Sequence, residues 1–263
     1  MRFRLSLALL TAGVLSAASA PATARLDVRA PAAQRITVFA AADLGPPFKP
    51  LVSQYERTTG VKVTLVVGST GTLTQQIRNG APADVFFAAN ESYIQQLSSE
   101  SLTIEHSRRL YARGRIAAVT LRSDRLRVES LSDLAKPEVK RIAIANPAHA
   151  PYGVAAKQAL EASGLWGAVE AKLVYGENVQ QAVQFVRSGS AQAGIVARSV
   201  SDTPDLRWTL IEQRLHAPLN QVAVVLTRTR APVASMAFID YVNSTAGRHV
   251  MRQFGFLLPG ESF

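Results

Sequence analysis

The chain has 263 residues, no cysteine and a formal charge of +10. The missing thiols exclude disulfides, a thioether-linked lipid and a cysteine nucleophile. The arginines are scattered, as in Arg108, Arg109, Arg113, Arg115, Arg122, Arg125 and Arg127, with no dense basic block interleaved with aromatics. They read as a solvated basic face and not as a nucleic-acid surface. Met1 to Arg4 form a short positive head, and Leu5 to Ala18 is an apolar stretch of signal-peptide length, too short to span a bilayer. Small residues follow through Ala20 and Ala24. Pro21 disfavours cleavage after Ala20, so the expected signal peptide is 1–24. About 240 residues then remain, enough for one large domain or two medium ones, and the charge falls to +8 with the loss of Arg2 and Arg4. No later segment is long and apolar enough for a membrane helix. The expected product is exported to a bacterial periplasm.

Ile36–Ala41 reads as a buried strand, followed by a helix carrying Phe48, Leu51, Val52 and Tyr55 and closed by Gly60. Val61, Val63, Leu65 and Val67 alternate as a strand. Leu73 and Ile77 mark a helix ending near Gly80. Val85–Ala88 is a strand, and Tyr93, Ile94 and Leu97 form a helical stripe. This β-α-β-α-β order predicts a mostly parallel sheet flanked by helices. A second set follows, with strands at 116–121, 141–145, 173–175 and 193–196 and helices at 154–163 and from Val179 to Val186. The tail adds a strand at 222–227 and helices near 233–242 and 246–254. No low-complexity linker separates the halves. The expected architecture is α/β with two lobes joined by strand-like segments near 111–121 and 219–227. Lobe 1 spans 34–112 plus 222–263, lobe 2 spans 113–221, and the ligand cleft lies between them.

Three strand-to-helix turns share one property. Val67–Thr72, Asn146–Gly153 and Gly176–Val179 each leave the free N–H groups of a helix start pointing outward. Such groups, at the positive end of the helix dipole, hold an anion without Lys or Arg. Asp43, after the first strand, reads as a helix cap that offers its N–H. One of Ser69 and Thr70 reads as an N-cap and the other as a ligand-binding hydroxyl. Pro151 suits a first helical turn, and Asn178 suits a cap.

The stretches ITVFAAADL at 36–44, GVKV at 60–63, GSTGTLTQQI at 68–77, GAPADVFFAA at 80–89, NPAHAPYG at 146–153, ENV at 177–179, AGIV at 193–196 and the tail 238–256 run in order over nearly all of the mature chain. In them the chain resembles the periplasmic molybdate-binding proteins of ABC importers, within the type II periplasmic-binding-protein fold. The resemblance implies a receptor for a tetrahedral oxyanion, molybdate and with it tungstate, that delivers its ligand to a membrane permease and is typically a monomer. It places the ligand contacts on Asp43, Thr70, Tyr152 and Val179, with Ser69, Ala42 and Ala89 beside them and Ser69 counted in the oxyanion-binding set. Tyr152 and Val179 would act through main-chain N–H groups, and Thr70 through hydroxyl and N–H. The ligand would be held as an oxyanion, with no side-chain coordination of metal and no cofactor. Two positions depart from the family pattern. Ala42 and Asp43 replace a Ser or Thr hydroxyl, and Ala197 replaces a Tyr that some members carry.

Two other readings have sequence support. One is the same receptor class with sulfate, phosphate or a small carboxylate as ligand. The other is a hydrolase using Ser69 with His149. His106, His149, His216 and His249 lack metal-ligand spacing, and no GxSxG, P-loop or GxGxxG pattern occurs, so the expectation is a binding protein without catalytic residues.

Overall fold

The computed structural model describes residues 34–261; the expected signal peptide lies outside them. The described chain builds two five-stranded sheets. The first has strand order β2-β1-β3-β10-β4, and the second β7-β6-β8-β5-β9. The strands are β1 Arg35–Ala41, β2 Lys62–Gly68, β3 Val85–Ala88, β4 Arg109–Gly114, β5 Ile116–Leu121, β6 Ile142–Ala145, β7 Leu173–Gly176, β8 Ala193–Ala197, β9 Leu206–Leu210 and β10 Leu219–Val225. The helices are α1 Gly45–Thr59, α2 Thr70–Arg78, α3 Glu91–Ser99, α4 Pro151–Ala162, α5 Trp166–Val169, α6 Val179–Arg187, α7 Arg198–Ser201, α8 Pro232–Asn243 and α9 Thr245–Gln253.

The apolar runs of β1 and β3 follow from burial on both faces. Ile36, Val38 and Ala40 join Val85 and Phe87 in a core with Phe48 and Leu51 of α1 and Phe238 of α8. Phe39, Phe86 and Ala88 point the other way, onto Leu73 and Ile77 of α2 and Ile94 and Leu97 of α3. The second sheet has its own cluster, centred on Ile142–Ala145 and Ile195 with Ala155, Ala159 and Leu160 of α4 and Val183 and Val186 of α6.

Each sheet is mixed. β1 pairs parallel with β2 and β3, whereas β10 pairs antiparallel with β3 and β4. In the second sheet β6 is parallel to β7 and β8, and β5 is antiparallel to β8 and β9. The expectation of mostly parallel sheets therefore holds inside each βαβ run and fails for the strands next to the sheet crossings. The chain crosses between sheets at Arg115 and again over 211–218. The boundaries expected at 112/113 and 221/222 fall within β4 and β10. β4 overlaps the strand-like segment expected near 111–121, whereas β9 is not anticipated. Both are edge strands, and they carry charged side chains, exposed at Arg109 and half-buried at Arg207, that break the apolar alternation.

Candidate functional site

The candidate site lies where the parallel strands of both sheets end. β1 runs into a 3-10 turn, Ala42–Leu44, before α1. β2 ends at Gly68, and Ser69, in extended conformation, caps α2 by accepting the Thr72 N–H at 3.2 Å. Asn178, also extended, caps α6 by accepting the N–H groups of Gln180 at 3.0 Å and Gln181 at 3.2 Å. α4 starts after Ala150, which has no capping side chain, and Pro151 has no N–H. The caps thus occupy inner donors. They leave the N–H of Thr70 and Val179, each the first residue of its helix, and of Tyr152, the second, at positions where a helix supplies no acceptor.

These three positions border one cavity. Its wall is Ala41, Ala42, Asp43, Ser69, Thr70, Ala89, Ala150, Pro151, Tyr152, Asn178 and Val179, around a free volume of about 10 Å³. That is far below the roughly 300–1,000 Å³ of pockets for drug-sized ligands, so the space suits only a very small ligand. The wall contains no Lys, Arg or His. The Thr70 hydroxyl accepts the Ala89 N–H at 3.1 Å and retains its own proton to donate. All five residues expected to bind the oxyanion, Asp43, Ser69, Thr70, Tyr152 and Val179, line this cavity. Ala42 and Ala89 line it too. Ala197 is buried in the second core and is not part of the wall.

Two expected roles differ in the structure. The Asp43 side chain caps no helix; it is fully buried. Its Oδ2 accepts hydrogen bonds from the Tyr152 hydroxyl at 2.9 Å and from Gln221 Nε2 at 2.6 Å. Its Oδ1 has no partner among the described residues. The Tyr152 phenol is therefore engaged at the site, where only its backbone was expected to act. Gln221 also donates to Tyr152 Oη at 2.8 Å and accepts from Tyr111 at 2.8 Å. Burial pushes the Asp43 carboxyl up to about 6, against the lowering effect of Gln221, Tyr152 and its own main-chain N–H. Burial and the Asp43 charge push the Tyr152 and Tyr111 phenols well above their ordinary value. Gln221 and Tyr111 are not anticipated. The signal for Gln221 is a buried amide inside the apolar strand LNQVAVV, which demands a polar partner.

Further contacts join the lobes. Gln180 Nε2 donates to the Ala42 carbonyl at 2.7 Å, and the Ser199 hydroxyl donates to the Asp43 carbonyl at 2.8 Å. The Gly71 N–H donates to the His149 carbonyl at 2.8 Å, and Ser69 Oγ lies 2.9 Å from His149 Nδ1. Ala41, Ala42 and Ala89 from the first lobe pack into the apolar cluster of the second.

The family model for bacterial extracellular solute-binding proteins matches residues 36–257. The chain belongs to this family. Among relatives, this solute-binding protein is 36% identical over 229 residues to "Molybdate-binding protein ModA" of Azotobacter vinelandii, covering 85% of this chain and 90% of the relative. It is 30% identical over 228 residues to the protein of the same name from Rhodobacter capsulatus, covering 86% and 89%. Its fold superimposes on the solved Azotobacter vinelandii periplasmic molybdate-binding protein with a TM-score of 0.81 at 28% identity, covering 85% of this chain and 99% of that one.

Proposed function

We propose that this chain is an extracytoplasmic receptor that captures a tetrahedral oxyanion, molybdate and also tungstate, and delivers it to the membrane permease of an ABC importer. The observation that carries this reading is the convergence of three helix starts on one small cavity. There the free N–H groups of Thr70, Tyr152 and Val179 and the Thr70 hydroxyl meet without any cationic side chain. Neutral donors suit an anion that brings its own charge, and hydrogen bonds to a charged acceptor are stronger than neutral ones. Names of relatives over most of the chain support molybdate as the ligand.

In this reading the anion bridges two half-sites, Asp43 with Ser69 and Thr70 on one lobe and Tyr152 with Val179 on the other. The crossings at Arg115 and 211–218 let the lobes rotate together, and the permease reads the closed form. The protein acts as a periplasmic monomer after loss of residues 1–24. A hydrolase built on Ser69 is disfavoured by geometry. The Ser69 hydroxyl donates to Thr72 Oγ1 at 2.7 Å, so its proton is turned away from His149. Glu177 stands 3.7 Å from His149 Nε2, too far for a hydrogen bond that would orient the imidazole.

Calorimetric titration of the mature protein with molybdate, tungstate, sulfate and phosphate tests the proposal. Tight binding of molybdate and tungstate with no sulfate response is expected. A response to sulfate or phosphate alone would transfer the same site to another anion.

A further inference from the structure

The cavity wall holds one group that the anion reading leaves unexplained. Asp43 is fully buried, and its Oδ1 has no partner among the described residues although the residue lines the cavity. An ionised Oδ1 would set a negative charge beside the bound anion, and the wall has no cation to offset it. A neutral carboxylic acid in the same place offers an O–H donor.

We propose that Asp43 and the bound oxyanion share one proton at Oδ1, so that the receptor loads a fully ionised anion together with a proton. This inference rests on the receptor reading above and assigns Asp43 the role of choosing the protonation state of the complex.

The surroundings of Asp43 are consistent with a proton exchanged there and nowhere else in the wall. From α4 the Tyr152 phenol donates to Oδ2, and from β10 the neutral amide of Gln221 does the same. From β4 the Tyr111 phenol bonds Gln221. Both phenols are held well above their ordinary value and stay protonated. α6 presents the Gln180 amide to the Ala42 carbonyl, and α7 presents the Ser199 hydroxyl to the Asp43 carbonyl. Arg198, also on α7, is turned to Asp202 and the Trp208 ring. His149, on the turn before α4, lies 2.9 Å from Ser69 Oγ through Nδ1 and 3.7 Å from Glu177 through Nε2. The Asp43 carboxyl titrates at about 6, and a neighbouring anion raises that further. An anion that carries its own proton meets the same requirement with ionised Asp43 as acceptor.

The test uses molybdate on the mature protein. Its Kd is measured at pH 6.0 and 8.0, and its binding enthalpy at pH 7.5 in two buffers of different ionisation heat. The wild type should weaken about tenfold per pH unit above about pH 6, roughly 100-fold over the range, and take up about one proton at pH 7.5. Asp43→Asn should show less than about threefold change over the range and no uptake. Equal wild-type Kd at both pH values without proton uptake would overturn the inference and leave the receptor reading intact; the same pH slope in Asp43→Asn would do likewise. The wild-type measurement decides the matter alone if the variant does not fold. If the wild type binds none of molybdate, tungstate, sulfate or phosphate at either pH, the receptor reading falls and this inference with it.

Discussion

The hydroxyl of Tyr152 donates to the carboxylate of Asp43 at 2.9 Å, joining the start of α4 in one lobe to the turn after β1 in the other. The approach depends on Gly114, where an added Cβ would lie 2.2 Å from Tyr152 Oη and 2.9 Å from Gln221 Nε2. The bond is buried and joins residues 109 positions apart, so it ties the two halves of the site together. Tyr152→Phe removes it. Hydrogen bonds involving a charged partner are worth about 1.5–3 kcal/mol. Molybdate binding should therefore weaken by calorimetry, and the thermal midpoint of the unliganded protein, which already holds the bond, should fall by a few degrees. Unchanged affinity would show that Tyr152 serves the ligand through its backbone alone.

Main-chain donors can be deleted individually at helix starts. Val179 is the first residue of α6, and Asn178 before it is extended at φ −157°, ψ 177°. Proline is tolerated at both counts. Val179→Pro should fold with a normal circular dichroism spectrum and, on the proposed reading, lose at least about tenfold in molybdate affinity, because the main-chain N–H of a cavity-lining residue is gone.

Thr70→Ala removes the hydroxyl of a cavity-lining residue, which accepts the Ala89 N–H. The loss should be of the same order as for Val179→Pro in affinity. It should be joined by about 1 kcal/mol in stability from the unpaired amide, seen as a lower urea midpoint.

Gly71 makes a close main-chain contact across the seam. A Cβ there would lie 2.7 Å from the His149 carbonyl oxygen that its N–H already contacts at 2.8 Å. Gly71→Ala should stabilise α2 slightly, by up to about 1 kcal/mol, and yet hold the lobes apart. The expected result is at least about tenfold weaker binding, with a radius of gyration by small-angle scattering that no longer shrinks when molybdate is added.

Burial raises the Asp43 carboxyl from 3.8 to about 6 in the folded protein. Between those values the folded state binds more protons than the unfolded chain, so this group's contribution falls as pH rises and is fully lost above about pH 6. A shift of about two units corresponds to roughly 3 kcal/mol. Asp43→Asn should therefore gain several degrees in thermal midpoint over the wild type at pH 7.5. At pH 4 the gain should nearly vanish. An equal difference at both pH values would show that Asp43 does not titrate in this window.

Much of the architecture was legible because it is set locally. Alternating and helical apolar spacing marks β1 to β3 and α1 to α3, and Ser69 and Asn178 announce helix starts within two or three residues of the N–H groups they cap. The same locality exposed three helix starts with unused donors, while the family resemblance and not the spacing assigned them to Thr70, Tyr152 and Val179. The tertiary structure decided what sequence spacing cannot carry. The edge strands β4 and β9 are stabilised by their sheets and not by an apolar pattern of their own. The antiparallel pairing of β5 and β10 follows from how the chain crosses between sheets. Above all, the fate of the Asp43 carboxylate rests on Tyr152 and Gln221, 109 and 178 residues away. Its chemistry is set by desolvation and by those two donors, one from β10 of the sheet that carries Asp43 and one from α4 against the other sheet.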